Sequence, residues 1–104
     1  MSYFIQTDVT LKWHENAGYS EMLERFVPYM ANKGWTLRYG LQPVIGDLRE
    51  LTHLWEIPTM DGVTSVLEEI TSSPDSELQE ILSPMKALVH NERIRLLRRT
   101  SYSR

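Results

Sequence analysis

The chain opens on an alternating pattern. Tyr3, Ile5, Thr7, Val9 and Leu11 alternate with Phe4, Gln6, Asp8 and Thr10, and β-branched and aromatic residues dominate, which predicts a strand. The period then changes. After His14-Glu15-Asn16, the residues Tyr19, Met22, Leu23, Phe26 and Met30 recur at three- and four-residue steps, which predicts a helix with one apolar face. Asn32-Lys33-Gly34 closes that helix, with Gly34 placed as its C-terminal cap, and Pro28 is expected to bend it or shorten its last turn.

Trp35 to Ile45 predicts a second strand, with Pro43 marking a bulge or an edge near its end. Gly46-Asp47 reads as a turn into a third strand, Leu48 to Ile57, and the two strands form a hairpin. Pro58 ends that strand. A helix from Asp61 to about Ile70 buries Val63, Val66, Leu67 and Ile70, and Ser72-Ser73-Pro74-Asp75 breaks it. Asp75-Ser76-Glu77 suits the start of a short helix carrying Leu78, Ile81 and Leu82, because acidic groups favour the positive end of the helix dipole. Pro84 interrupts the helical path, His90 to Leu97 is a last strand, and Thr100 to Arg104 is a polar end. The order β-α-β-β-α-β is a split βαβ arrangement: an α+β fold with an antiparallel sheet and helices on one face. The second face then needs solvent, a ligand or another sheet.

Composition narrows the setting. A chain of 104 residues has room for one hydrophobic core, so a single domain spanning residues 1–104 is expected. With 41% apolar and 24% charged residues it has the make-up of a folded globular protein. Having no cysteine, it has no disulfide, no thiolate nucleophile and no cysteine-ligated metal. The beginning, MSYFIQTDVT, lacks the basic start and apolar run of a signal peptide, and no segment approaches the length of a membrane span, so a cytoplasmic protein is expected.

The net charge of −3 is unevenly spread. Residues 1–84 carry five Lys/Arg against thirteen acids, whereas residues 85–104 carry six Lys/Arg against Glu92 alone. Arg93, Arg95, Arg98 and Arg99 flank a strand-like run without interleaved aromatics, so pairing with acids is favoured over a nucleic-acid partner.

The hairpin holds the candidate chemistry. If the turn sets residue 45 opposite 48, Gly40 opposes His53 and Arg38 opposes Trp55. Leu51, His53, Trp55 and Ile57 would then share a face with Arg38, Gly40 and Gln42, and Arg38 would lie over the Trp55 ring as a cation–π pair. Leu37, Tyr39, Leu41 and Leu54 would share the opposite face, the better candidate for packing under the helices. Arg38, Gln42, His53 and Trp55 are therefore the expected ligand-binding set, and His53 is the candidate catalytic residue. A buried imidazole hydrogen-bonded across a dimer interface remains the plain alternative for His53, and core or interface packing for Trp55. His14, His53 and His90 share no ligand spacing, so no metal is expected. Glycine-rich nucleotide loops and the nucleophile elbow of serine hydrolases are absent, and no cofactor is expected.

Several segments together resemble the NIPSNAP family. IGDLRELTHLWEI, residues 45–57, is similar to that family's IGxLNxVxHLWxY stretch, and NERIRLLRRTSYS, residues 91–103, resembles its QExRLLRPTPFS-like ending. TLKWHENAGYSEML and LQEILSPMKALV fall where the family has similar patterns. The resemblance implies a ferredoxin-like fold of the dimeric α+β barrel group, in which two sheets pack face to face, and it implies a homodimer through the open sheet face. His53 and Trp55 match the family's shared position, and their face would lie inside the barrel. The first strand departs from the family pattern, with Ile5, Thr7 and Val9 where Glu, Arg and Tyr are frequent. Arg49 or Glu50 stands for its Asn, and Ile57 for its Tyr.

Three functional readings follow. The first is a dimeric module binding a small, partly apolar ligand between sheet and helices. The second is a cofactor-free enzyme resembling the monooxygenases and isomerases of the same barrel group, with His53 as proton carrier and Arg38 stabilising an anion. The third is an interaction protein that docks an acidic partner on its basic tail, Arg93 to Arg104.

Overall fold

The computed structural model describes residues 2–103. Its elements run β1 (Tyr3–Leu11), α1 (Asn16–Asn32), β2 (Thr36–Leu41), β3 (Glu50–Ile57), α2 (Met60–Ser72), α3 (Ser76–Leu82), α4 (Met85–Leu88) and β4 (Val89–Arg98). The four strands form one sheet in the order β2-β3-β1-β4, with every neighbouring pair antiparallel. The expected element order and α+β class are therefore those of the molecule. The basic run is part of the sheet, with Arg93, Arg95 and Arg98 in β4, and not a loose arm; Arg104, its last residue, lies outside the described residues, as does Met1.

Local chemistry sets the helix ends. Gly34 takes the left-handed backbone (φ 90°) that stops α1, and its N–H donates to the Ala31 carbonyl at 3.1 Å. Thr59 caps α2 by accepting from the Gly62 N–H at 3.0 Å. Asp75 caps α3 by accepting from the Leu78 N–H at 2.8 Å, and its second oxygen accepts from the Tyr29 hydroxyl at 2.8 Å. The cap thus also fastens α3 to α1. Pro28 lies within α1 without ending it.

The second strand is shorter than expected. It stops at Leu41 and β3 begins at Glu50, so residues 42–49 form a loop and not a tight two-residue turn. Trp35 precedes the strand and joins the core, donating its indole N–H to the Gly62 carbonyl at 3.0 Å. Gly40 opposes His53 as expected, but Leu37, not Arg38, opposes Trp55. The register slips between Leu37 and Tyr39, leaving Arg38 as the extra residue of a bulge. Without that slip, an arginine would sit beneath the helices with no buried acid to pair it. The bulge instead brings Leu37 onto the covered face, and Arg38 donates to Glu56 at 2.7 Å on the solvent side.

The two faces are the reverse of the sequence expectation. His53, Trp55 and Ile57 are buried under the helices beside Ile5, Val9 and Leu11, which share their face through the β1–β3 pairing. Leu54, Tyr39 and Leu41 lie on the open face. The physical reason is the combined apolar area: helix cover is spent where two strands both present large side chains, and Ile5 opposite Trp55 outweighs the single polar group of His53.

Candidate functional site

Between the covered face and the helices lies a cavity of about 210 Å³. Its floor is Ile5 and Thr7 of β1, His53 and Trp55 of β3, and Glu92 and Ile94 of β4. Its roof comes from α1 (Tyr19, Met22, Phe26), the end of α2 (Ile70, Thr71), and Leu82 and Met85. The aromatic rings are fixed against one another. Phe26 meets Trp55 edge to face at 5.7 Å and 81°, and Trp35 tilts onto Trp55 at 6.3 Å. Such geometry follows the ring quadrupoles and holds the wall rigid.

His53 is 8% exposed and is the one polar or charged residue buried in the core among the described residues. Its Cδ2 and Nε2 lie 3.6 and 3.9 Å from the position a Cβ on Gly40 would take, so that edge of the ring faces β2. Nδ1 is on the other side of the ring, sealed from solvent and without a hydrogen-bond partner. Leaving such an atom unpaired costs about 1–3 kcal/mol. Burial also pushes the His53 pKa down, which keeps the imidazole neutral.

Two further titratable groups face this space. The Tyr19 ring lies 6.0 Å from the His53 ring, and burial, reinforced by the charge of Glu92, pushes its phenol pKa up. Glu92 is solvent-exposed along much of its length on the edge strand, yet partial burial of its carboxyl pushes its pKa up as well. Ile94, 51% exposed, stands beside it, so the cavity opens to solvent along β4. No Lys or Arg lines the cavity, and no group of three metal-ligating side chains occurs among the described residues.

The structure divides the expected ligand set. His53 and Trp55 line the cavity. Arg38 lies on the opposite face with Glu56, and Gln42 lies beyond the end of β2, where its amide donates to the Leu48 carbonyl at 3.1 Å. The expected cation–π contact of Arg38 with Trp55 is replaced by the Arg38–Glu56 ion pair. A wider depression of about 750 Å³ on the open face includes Arg38, Phe4, Leu54 and Leu97, but it is shallow and open. Tyr19 and Glu92 escaped the sequence reading. In the sequence Tyr19 belongs to an apolar helix face, and the one signal for Glu92 is its position as the single acid in a basic stretch.

A sequence profile of the NIPSNAP family matches residues 9–104. No curated protein matches the chain. Among solved structures, a NIPSNAP family protein from Agrobacterium tumefaciens is similar with a TM-score of 0.83 at 16% identity, covering 99% of this chain and 97% of that one. An uncharacterised NIPSNAP-like domain protein from Burkholderia xenovorans gives 0.76 at 17% identity, covering 99% and 89%. A protein from Nitrosomonas europaea, described as a proposed antibiotic biosynthesis monooxygenase, gives 0.75 at 9% identity, covering 98% and 93%. At these identities the likeness is one of fold.

Proposed function

The chain belongs to the NIPSNAP family, and from that premise we propose that it is a dimeric binding module holding one small, partly apolar ligand between its sheet and its helices. The observation that carries this reading is an aromatic-walled, largely apolar cavity of about 210 Å³ with His53 and a few further polar groups in its lining. A mostly apolar enclosure with a small number of polar groups is the usual form of a small-molecule site. A small ligand filling this space buries its own apolar surface against the rings of Phe26 and Trp55. Thermal-shift screening of small neutral compounds tests this: hits that raise Tm in the wild type and lose their effect in His53→Leu are expected. A screen in which every hit acts equally on both proteins would defeat the reading.

The homodimer is proposed to form through the open sheet face. Tyr39 and Leu41 are exposed there, beside the half-buried Phe4, Leu54 and Leu97. Apolar side chains of that size in the middle of a sheet face favour cover by a second sheet. Sedimentation of the wild type as a dimer and of Leu54→Glu as a folded monomer is expected; a monomeric wild type contradicts it.

Catalysis is the second reading. A neutral imidazole lining the cavity is competent to take a proton, and the Tyr19 phenol beside it is held protonated. Arg38 has no part in such a mechanism from its position on the other face. Turnover of a bound compound that disappears in His53→Ala would establish this reading, and undiminished turnover would end it.

A further inference from the structure

We infer that the ligand is a small apolar amine, its ammonium group at Glu92 in the mouth of the cavity and its apolar body among the rings behind it. This rests on the reading of the cavity as a binding site and adds the class of molecule that fills it.

Charge is the first constraint. With the His53 imidazole neutral, Glu92 is the one formally charged side chain in the lining among the described residues. Strand alternation puts it there. Glu92 stands opposite Val9, on the covered face, whereas Arg93 and Arg95 stand opposite Asp8 and Gln6 on the open face. Among the described residues Glu92 accordingly makes no ion pair. Its carboxyl loses water without gaining a counter-charge, and its pKa is pushed up for that reason. An ammonium guest supplies the missing charge and holds the carboxyl ionised in return. A carboxylate guest, an amino acid included, would be desolvated with no cation to meet it. An organic cation also fits better than a metal ion, since no group of three metal-ligating side chains occurs among the described residues.

The neutral polar groups of the lining agree with a donor. Thr71 commits its proton to the Leu67 carbonyl at 2.8 Å, which leaves its oxygen as an acceptor. The hydroxyls of Tyr19 and Thr7 donate or accept, so they take either kind of partner. An ammonium has donors and no acceptor, and nothing in the lining repels it.

The rings set the body. Tyr19, Phe26, Trp35 and Trp55 line the same space, and aromatic faces attract a cation while packing against apolar groups. An apolar protein cavity of about 150 Å³ accepts benzene. The 210 Å³ here therefore takes one ring or a branched chain of similar size. The amine end stays at the solvent-open edge beside Ile94 and keeps part of its water.

The test is NMR titration of the full chain at neutral pH with three probes of one shape: 2-phenylethylamine, 2-phenylethanol and phenylacetate. The amine is expected to bind about tenfold more tightly than the alcohol, the increment of one charge-assisted hydrogen bond. Phenylacetate is expected to be at least about tenfold weaker than the alcohol. Glu92→Gln, an exposed position on the edge strand, should erase the preference for the amine while the alcohol binds as before. Glu77→Gln, an equal change of net charge at an exposed position of α3, should leave that preference intact. The amine assignment is overturned if the alcohol or phenylacetate binds as tightly as the amine, if Glu92→Gln keeps the preference, or if Glu77→Gln lowers it equally; the cavity then remains a binding site. No binding of any of the three probes overturns both the assignment and the reading beneath it.

Discussion

The two faces of this sheet are made from the same strands, one residue apart, and they obey different physics. In β1 the covered face reads Ile5, Thr7, Val9, Leu11 and the open face reads Phe4, Gln6, Asp8, Thr10. Under the helices almost every contact is apolar, and among the described residues one buried side-chain polar atom, Nδ1 of His53, goes unpaired. On the open face polar groups satisfy one another at the surface: Gln6 and Thr52 both donate to Asp8, Thr52 at 2.9 Å, and Arg38 meets Glu56. An interaction's worth is set by which face it occupies, because desolvation magnifies both a missing partner and a lost methylene.

That contrast can be broken in four graded ways. Trp55→Ala removes a ring that is 3% exposed and buttressed by Phe26 and Trp35, so it should cost about 3–5 kcal/mol of unfolding free energy in denaturant melts. An effect below about 1 kcal/mol would mean the covered face is not the core. His53→Leu should run the other way, leaving stability at neutral pH unchanged or raised by about 1 kcal/mol, because it deletes a buried unpartnered nitrogen. The same variant sharpens the pH dependence. The folded pKa of His53 is depressed below 6.5, so the unfolded chain takes up the proton first and the wild type loses stability as pH falls below that value. His53→Leu should show a flatter profile across this window, and an unchanged slope would place the titration elsewhere.

The open face yields smaller numbers. Thr52→Val removes the half-buried hydrogen bond to Asp8 and should cost about 0.5–1.5 kcal/mol, measured by the same melts. Arg38→Ala breaks an exposed ion pair that salt already screens, and Tm should not move beyond measurement error. A clear loss there would show that the bulge depends on the Arg38–Glu56 pair and not on the burial of Leu37.

Most of the architecture was legible because it rests on local rules. The alternation in Tyr3–Leu11, the helical spacing from Tyr19 to Met30, Gly34 and Asp75 each declare themselves within a few residues. The opposition of Gly40 and His53 was legible as well. What failed was the assignment of faces. Reading His53 and Arg38 as one polar group put weight on residue type, whereas the outcome was decided by Ile5 pairing with Trp55 across strands, which no single segment contains. The bulge at Arg38 is of the same kind, since its advantage exists only once helices cover the sheet. Tyr19 and Glu92 reach the cavity from α1 and β4, elements far apart in sequence, and only the fold brings them to His53.

The mouth of the cavity lies at an edge strand, where Glu92, Ile94 and Leu96 are not roofed by a helix. A guest can leave there without α1 lifting from the sheet, so no gating motion prolongs its stay. Residence time is then governed by contact strength alone, and NMR titrations with small probes should fall in the fast-exchange regime. Under the proposed binding role, a site with that access reports the ambient concentration of its ligand moment by moment instead of storing it.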